Sequence, residues 1–211
     1  TQDRSIQVLI LVPTRELALQ YVQEVDDVSK HSDVVPFAVF GGFDMDIQKA
    51  KLKHGVHILV ATPGRLIDLI WNHRLDLAQV KSVVLDEADE MLKMGFIEDV
   101  DFIMSCMMQE HQTLLFSATM PKEVERLTQQ YLSEPERIEL NREQRAPQSL
   151  EHYFQHVGRQ RLDALVDYIE GNDVQQGIIF CNSRDRASEL LNSLQKRVRS
   201  LEIIHGGLDQ D

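Results

Sequence analysis

Short apolar runs alternate along this chain with longer stretches whose apolar residues recur every three or four positions. Ile6 to Val12, Pro36 to Phe40, His57 to Ala61, Val80 to Leu85, Thr113 to Phe116 and Arg137 to Leu140 read as strands. Glu16 to Lys30, Met45 to Lys53, Gly64 to His73, Ile97 to Met108 and Lys122 to Leu132 read as helices. Pro63 and Pro121 stand where a first helical turn tolerates a missing N–H, and Thr62 fits an N-cap. This βαβα rhythm predicts an α/β fold, a mostly parallel sheet with helices on both faces.

The rhythm breaks once. Asn141 to Ser149 is polar, carries Pro147 and shows no period, so residues 1–140 are expected to form one lobe, 141–150 a linker and 151–211 a second unit. In that unit Glu151 to Val157, Gly177 to Cys181 and Leu201 to Ile204 read as strands, and Arg161 to Ile169 and Arg184 to Arg197 as helices. These are too few elements to cover both faces of a sheet, so the second unit is expected to be truncated.

The chemistry concentrates where strands end. Val80 to Leu85 runs straight into Asp86-Glu87-Ala88-Asp89, three carboxylates within four positions. Such crowding is costly unless a cation, protonation or hydroxyl donors stabilise it, and a nucleotide-bound Mg²⁺ is one such cation. A solvated helix start is the simpler alternative, because acidic residues favour first turns. Ser117-Ala118-Thr119, after another strand, offers two hydroxyls. Pro13-Thr14-Arg15 and Thr62-Pro63-Gly64-Arg65 each turn a strand into a helix at the edge where open α/β sheets bind ligands. Gly41-Gly42, at a third strand end, would let backbone lie against a phosphate. Each corner alone is also what an ordinary structural turn looks like.

Composition narrows the partners. With 211 residues, 43% hydrophobic and 27% charged, the chain has the make-up of a globular protein, and no apolar run approaches the roughly 20 residues that span a bilayer. Two cysteines, Cys106 and Cys181, make a disulfide framework improbable and a reducing cytoplasm the default; the polar start, Thr1 to Ile6, resembles no targeting segment. A net charge of −12 and a pI near 5.1 argue against bulk attraction to nucleic acid, so any such contact must rest on a few arginines, backbone amides and helix N-termini. The eight histidines show no metal spacing. Met104, Met107, Met108 and Trp71 are expected to be packing residues.

Taken together, these segments resemble the DEAD-box family of ATP-dependent RNA helicases. Pro13 to Gln20, Gly41-Gly42, Thr62 to Arg65, Asp86 to Asp89 and Ser117 to Thr119 match five of its motifs in order and spacing. In the second unit Ile178 to Arg184 and His205 to Gln210 resemble two more, and Glu90 to Val100 looks most like the bacterial cold-shock type. The resemblance implies a RecA-like first lobe followed by the start of a second. It implies ATP and Mg²⁺ as cofactors, with Asp86 holding the metal through water and Glu87 directing the attacking water. It gives Asp89, Ser117 and Thr119 a coupling role. Pro13, Thr14, Arg15, Gly41, Gly42, Thr62, Pro63, Gly64 and Arg65 would grip one RNA strand by its phosphates and sugars, with Asn182, Ser183, Arg184, His205, Gly206 and Gln210 continuing the groove.

The departures are equally specific. No glycine is followed by lysine, so the phosphate loop Gly-x-x-x-x-Gly-Lys-Ser/Thr is absent from these residues, as are the family's adenine-reading segment and later arginine motifs. The chain is therefore expected to be a central piece of a helicase, inactive by itself, with exposed apolar surface. A non-catalytic RNA-binding or interaction module and a helicase acting on DNA are the alternatives.

Overall fold

Five of the apolar runs pair into one sheet: β1 Val8–Leu11, β2 Pro36–Val39, β3 Ile58–Ala61, β4 Ser82–Leu85 and β5 Gln112–Leu115. The computed structural model describes residues 4–140, 150–158, 160–198 and 200–208. It separates two compact units, Thr1–Ile138 and Glu139–Asp211. In the first, every ladder is parallel and the strand order is β2-β3-β1-β4-β5. Leu11 lies level with Ala61 on one side and Leu85 on the other, so the central strands end flush.

The period of two along β1 explains the layers. Leu9 and Leu11 face a core with Val39, Leu59, Leu85 and the helices α3 (Pro63–His73), α4 (Ala88–Lys93), α5 (Ile97–Ser105) and α6 (Lys122–Tyr131). Ile10 and Val12 face a smaller core with Val60, Phe40 and Ala18 of α1 (Arg15–Ser29). Burial on both faces is why the strand is apolar at each of these positions. α2 (Met45–His54) packs Met45 and Leu52 against the larger core. The first unit is thus an α/β layer structure, as its alternating pattern predicts, and consistent with the RecA-like first lobe that the resemblance implies.

Several expected elements differ. Arg137 to Leu140 is not a strand, and Ile138 and Leu140 stay exposed. In the second unit α7 (Arg161–Gly171) and α8 (Arg184–Leu194) form, but none of the three expected strands does among the described residues. A strand exists only through pairing with a neighbour, whereas a helix closes its own hydrogen bonds. Phe180 and Ile204, at 90% and 95% exposure, show that no opposing layer covers those runs. Among the described residues of that unit only Val166 and Leu194 are buried apolar groups.

Two packing expectations also change. Met104 and Met107 are buried, but α5 ends at Ser105 and its last carbonyls close tight turns onto Cys106 and Met107, which leaves Met108 90% exposed. Trp71 and Phe102 form a T-shaped pair with ring centroids 5.6 Å apart, yet Trp71 remains 69% exposed, because it lies on the solvent side of α3.

Candidate functional site

Parallel strands all end at one edge, and a singled-out motif follows each: Thr14-Arg15 after β1, Gly41-Gly42 after β2, Thr62 to Arg65 after β3, Asp86 to Asp89 after β4 and Ser117 to Thr119 after β5. The strand order sorts them. The double glycine and the two arginine corners occupy the β2-β3-β1 side, and the carboxylates and hydroxyls occupy the β4-β5 side.

On the acidic side the chain turns abruptly. Glu87 adopts a left-handed backbone, φ 51 and ψ 48, a conformation costly for a residue with a Cβ. The turn leaves Glu87 exposed while swinging Asp89, in the first turn of α4, back onto β5. There Asp89 is only 6% exposed. Its Oδ2 accepts from Thr119 Oγ1 at 2.7 Å, and its Oδ1 from Ser117 Oγ at 3.0 Å and the Ala118 amide at 3.4 Å. The Asp89 amide donates back to Ser117 Oγ at 3.1 Å. Ser117 has one proton, so its contact with the Thr119 carbonyl at 2.6 Å competes with its bond to Asp89. Burial pushes the Asp89 carboxyl up, but the bonds from Thr119, Ser117 and Ala118 outweigh it and hold the carboxyl below its ordinary value.

Asp86 is oriented differently. Its Oδ1 accepts from the Glu87 amide at 2.9 Å and its Oδ2 from Tyr21 Oη at 2.6 Å. Burial, then the bond to Asp86, pushes the Tyr21 phenol well above its ordinary value, so it stays a donor at neutral pH. Each oxygen of Asp86 keeps a further lone pair for water. No group of three or more metal-ligating side chains lies among the described residues. One carboxylate with an exposed carboxylate beside it suits Mg²⁺, which retains most of its water shell, better than an ion caged directly by protein.

On the other side, Thr14 caps α1, accepting from the Leu17 amide at 3.3 Å, and Arg15 is exposed with its Nε 2.9 Å from Glu16 Oε1. Pro13 is buried behind them. Thr62 occupies the N-cap position of α3, but its side chain makes no capping bond, contrary to the expected cap; Pro63 sets the first turn and Gly64 is open to solvent. Arg65 donates to the Phe43 carbonyl at 3.2 Å, which joins this corner to the double-glycine loop. Gly42 has φ 80, so that loop turns through a conformation glycine adopts without cost.

In the second unit Ser183 caps α8 by accepting from the Arg186 amide at 3.3 Å, while Asn182 and Arg184 are exposed. A Cβ on Gly207 would lie 3.2 Å from Arg184 Nη1, so the start of α8 and the His205-Gly206-Gly207 turn are neighbours. Gln210 lies outside the described residues.

Two residues of the site escaped the sequence reading. Tyr21 falls one turn beyond Leu17 and Ala18 on the buried face of α1, so its placement was readable, but its partner Asp86, just after β4, was not. Gln48 is fully buried in α2; its Oε1 accepts from the Phe40 amide at 3.2 Å, and its Nε2 reaches the carbonyls of Phe43 at 3.1 Å and Asp44 at 3.3 Å. It pins the loop that carries Gly41 and Gly42. A polar letter on an otherwise core-facing helix position was the available signal.

The DEAD/DEAH box helicase model matches residues 1–127. The chain is 39% identical over all 211 residues to the DEAD-box ATP-dependent RNA helicase CshA of Bacillus cereus, covering 40% of that protein. It is 39% identical over 206 residues, 97% of the chain, to the ATP-dependent RNA helicase DeaD of Escherichia coli, covering 33% of it. The chain therefore spans two fifths or less of the length of these curated relatives.

Proposed function

Because the chain belongs to the DEAD/DEAH box helicase family, we propose that it carries the RNA grip and the hydrolytic carboxylates of an ATP-dependent RNA helicase. What supports this most is the junction in which one buried carboxylate, Asp89, takes both hydroxyls of Ser117 and Thr119. It joins the two acidic-side motifs on the edge that also carries Arg15 and Arg65. In this reading Asp86 orients the water shell of a nucleotide-bound Mg²⁺, whose charge offsets that of the phosphates. Glu87, exposed on its left-handed turn, takes the proton of the water that attacks the γ-phosphate. Asp89 keeps β4 and β5 in register so that nucleotide state is felt by the adjoining strands.

RNA binding is assigned to the β2-β3-β1 side. Arg15 and Arg65 supply charge, while Thr14, Thr62, Gly41, Gly42 and Gly64 offer hydroxyls and backbone close to the phosphates. The residues of the second unit, Asn182 to Arg184 and His205 to Gly206, would hold the same strand. ATP and RNA together would hold that strand in a shape a duplex cannot take, separating it locally. The 211 residues by themselves are proposed not to hydrolyse ATP, since no glycine-lysine pair is present to cradle the triphosphate.

The test is binding of a labelled single-stranded RNA measured by fluorescence anisotropy. Arg15→Ala and Arg65→Ala are each expected to weaken it severalfold, equally for different sequences, with matched DNA competing less well because it lacks the 2′-hydroxyl. Unchanged affinity in both variants would remove the grip assignment. RNA-stimulated phosphate release from these 211 residues, abolished by Glu87→Gln, would overturn the proposed inactivity and show that other groups of the chain hold the triphosphate.

A further inference from the structure

At the opposite edge of the first unit's sheet, the C-terminal ends of α2 and α3 flank a hollow of about 410 Å³. A helix that follows a parallel strand runs back across the sheet, so α3 starts at the Pro63–Arg65 corner and ends here. Its 11 residues separate the two places by roughly 16 Å. The floor is apolar: Leu69 is sealed, and Leu52 and Leu75 are half-buried. The rim carries Lys49, Lys53, His73 and Arg74, with one carboxylate, Asp76, whose Oδ1 accepts from the Ala78 amide at 2.8 Å. Lys49 is held by Asp46 at 2.5 Å, whereas Lys53 and Arg74 make no ion pair among the described residues.

Cations in a last helical turn complement the helix dipole, which accounts for Lys53. Arg74 needs another explanation. It lies just past α3 with φ 54 and ψ 41, the left-handed position where helices ordinarily place glycine, and the chain closes behind it through Leu75 N–H to the Leu69 carbonyl at 3.1 Å. A side chain there costs stability, and residues held this way cluster at functional sites. The chain as a whole carries −12, so an acidic partner is repelled over most of the surface and attracted locally here. A phosphate backbone would gain nothing from three leucines. An apolar side chain between carboxylates matches both floor and rim.

We propose that this hollow docks an acidic segment of a partner protein, seating one apolar side chain on Leu52, Leu69 and Leu75 while its carboxylates face Lys53 and Arg74. The probe is a labelled peptide with one leucine flanked on each side by aspartates and glutamates, titrated with the 211-residue chain. The double variant Lys53→Glu with Arg74→Glu is expected to weaken binding at least tenfold and to leave affinity for single-stranded RNA unchanged. Arg74→Gly is expected to weaken the peptide severalfold while raising the melting temperature, a pairing that loss of a merely structural residue would not produce. Peptide affinity indifferent to the double variant overturns the proposal, as does a lower melting temperature for Arg74→Gly. Two further outcomes would reassign the hollow: RNA affinity falling in the double variant without peptide binding, or self-association in sedimentation that the double variant abolishes.

Discussion

Asp89→Ala is expected to lower the unfolding free energy of the first unit by about 3 kcal/mol, because hydrogen bonds to a buried ionised group are worth roughly 1.5–3 kcal/mol each and do not add fully. The variant removes a carboxylate only 6% exposed, which takes the acceptor from the Thr119 hydroxyl and the Ala118 amide and leaves the Ser117 hydroxyl the Thr119 carbonyl alone. Urea unfolding of the two proteins side by side measures the difference. Acid gives an independent reading. The folded state holds the Asp89 carboxyl below its ordinary value, so its contribution is complete above the usual carboxylate range, near pH 3.9, and is lost as pH falls through the lowered value. Stability of the alanine variant is therefore expected to fall less steeply in acid. A loss under about 1 kcal/mol, or identical acid slopes, would mean that water replaces the carboxylate at no cost and that Asp89 does not join the strands.

Gln48→Leu is expected to cost about 2 kcal/mol although it keeps size and apolar fit, because it leaves the buried Phe40 amide without an acceptor and takes one of two donors from each of the Phe43 and Asp44 carbonyls, which keep Arg65 and the residue-48 backbone amide. Its effect should not stop at stability. The Gly41-Gly42 loop is tied down by Gln48 from one side and by Arg65, through the Phe43 carbonyl, from the other. Untying it is expected to weaken single-stranded RNA about tenfold, since the loop must be ordered again on binding. Gln48→Glu should be worse for folding, as it buries a charge and loses both donors. If Gln48→Leu lowers the melting temperature but leaves RNA affinity intact, the glycine loop is not part of the grip.

The letters carried the layers well where an element satisfies itself or is covered on both sides. β1 is apolar at Leu9, Ile10, Leu11 and Val12 because two cores meet there, and that doubled burial is visible as an unbroken apolar run. The convergence of five corners on one edge follows from parallel strands alone. What the letters could not carry is pairing at a distance. Ile178 to Cys181 has the composition of a strand and no neighbour to pair with among the described residues, so the same pattern that gave β3 correctly gives nothing there. Tyr21 and Gln48 were missed for a related reason: a polar group on a helix names no partner until the opposite element is in place, 65 positions away in the case of Asp86.

The bond between Tyr21 and Asp86 has a mechanical corollary. α1 is a single uninterrupted rod whose first turn bears Arg15 and whose second bears Tyr21. Any load that tilts or slides the front of that rod is delivered, undiluted by loop compliance, to the oxygen that Tyr21 holds. A tug on the corner after β1 thus bears directly on the carboxylate that follows the neighbouring β4.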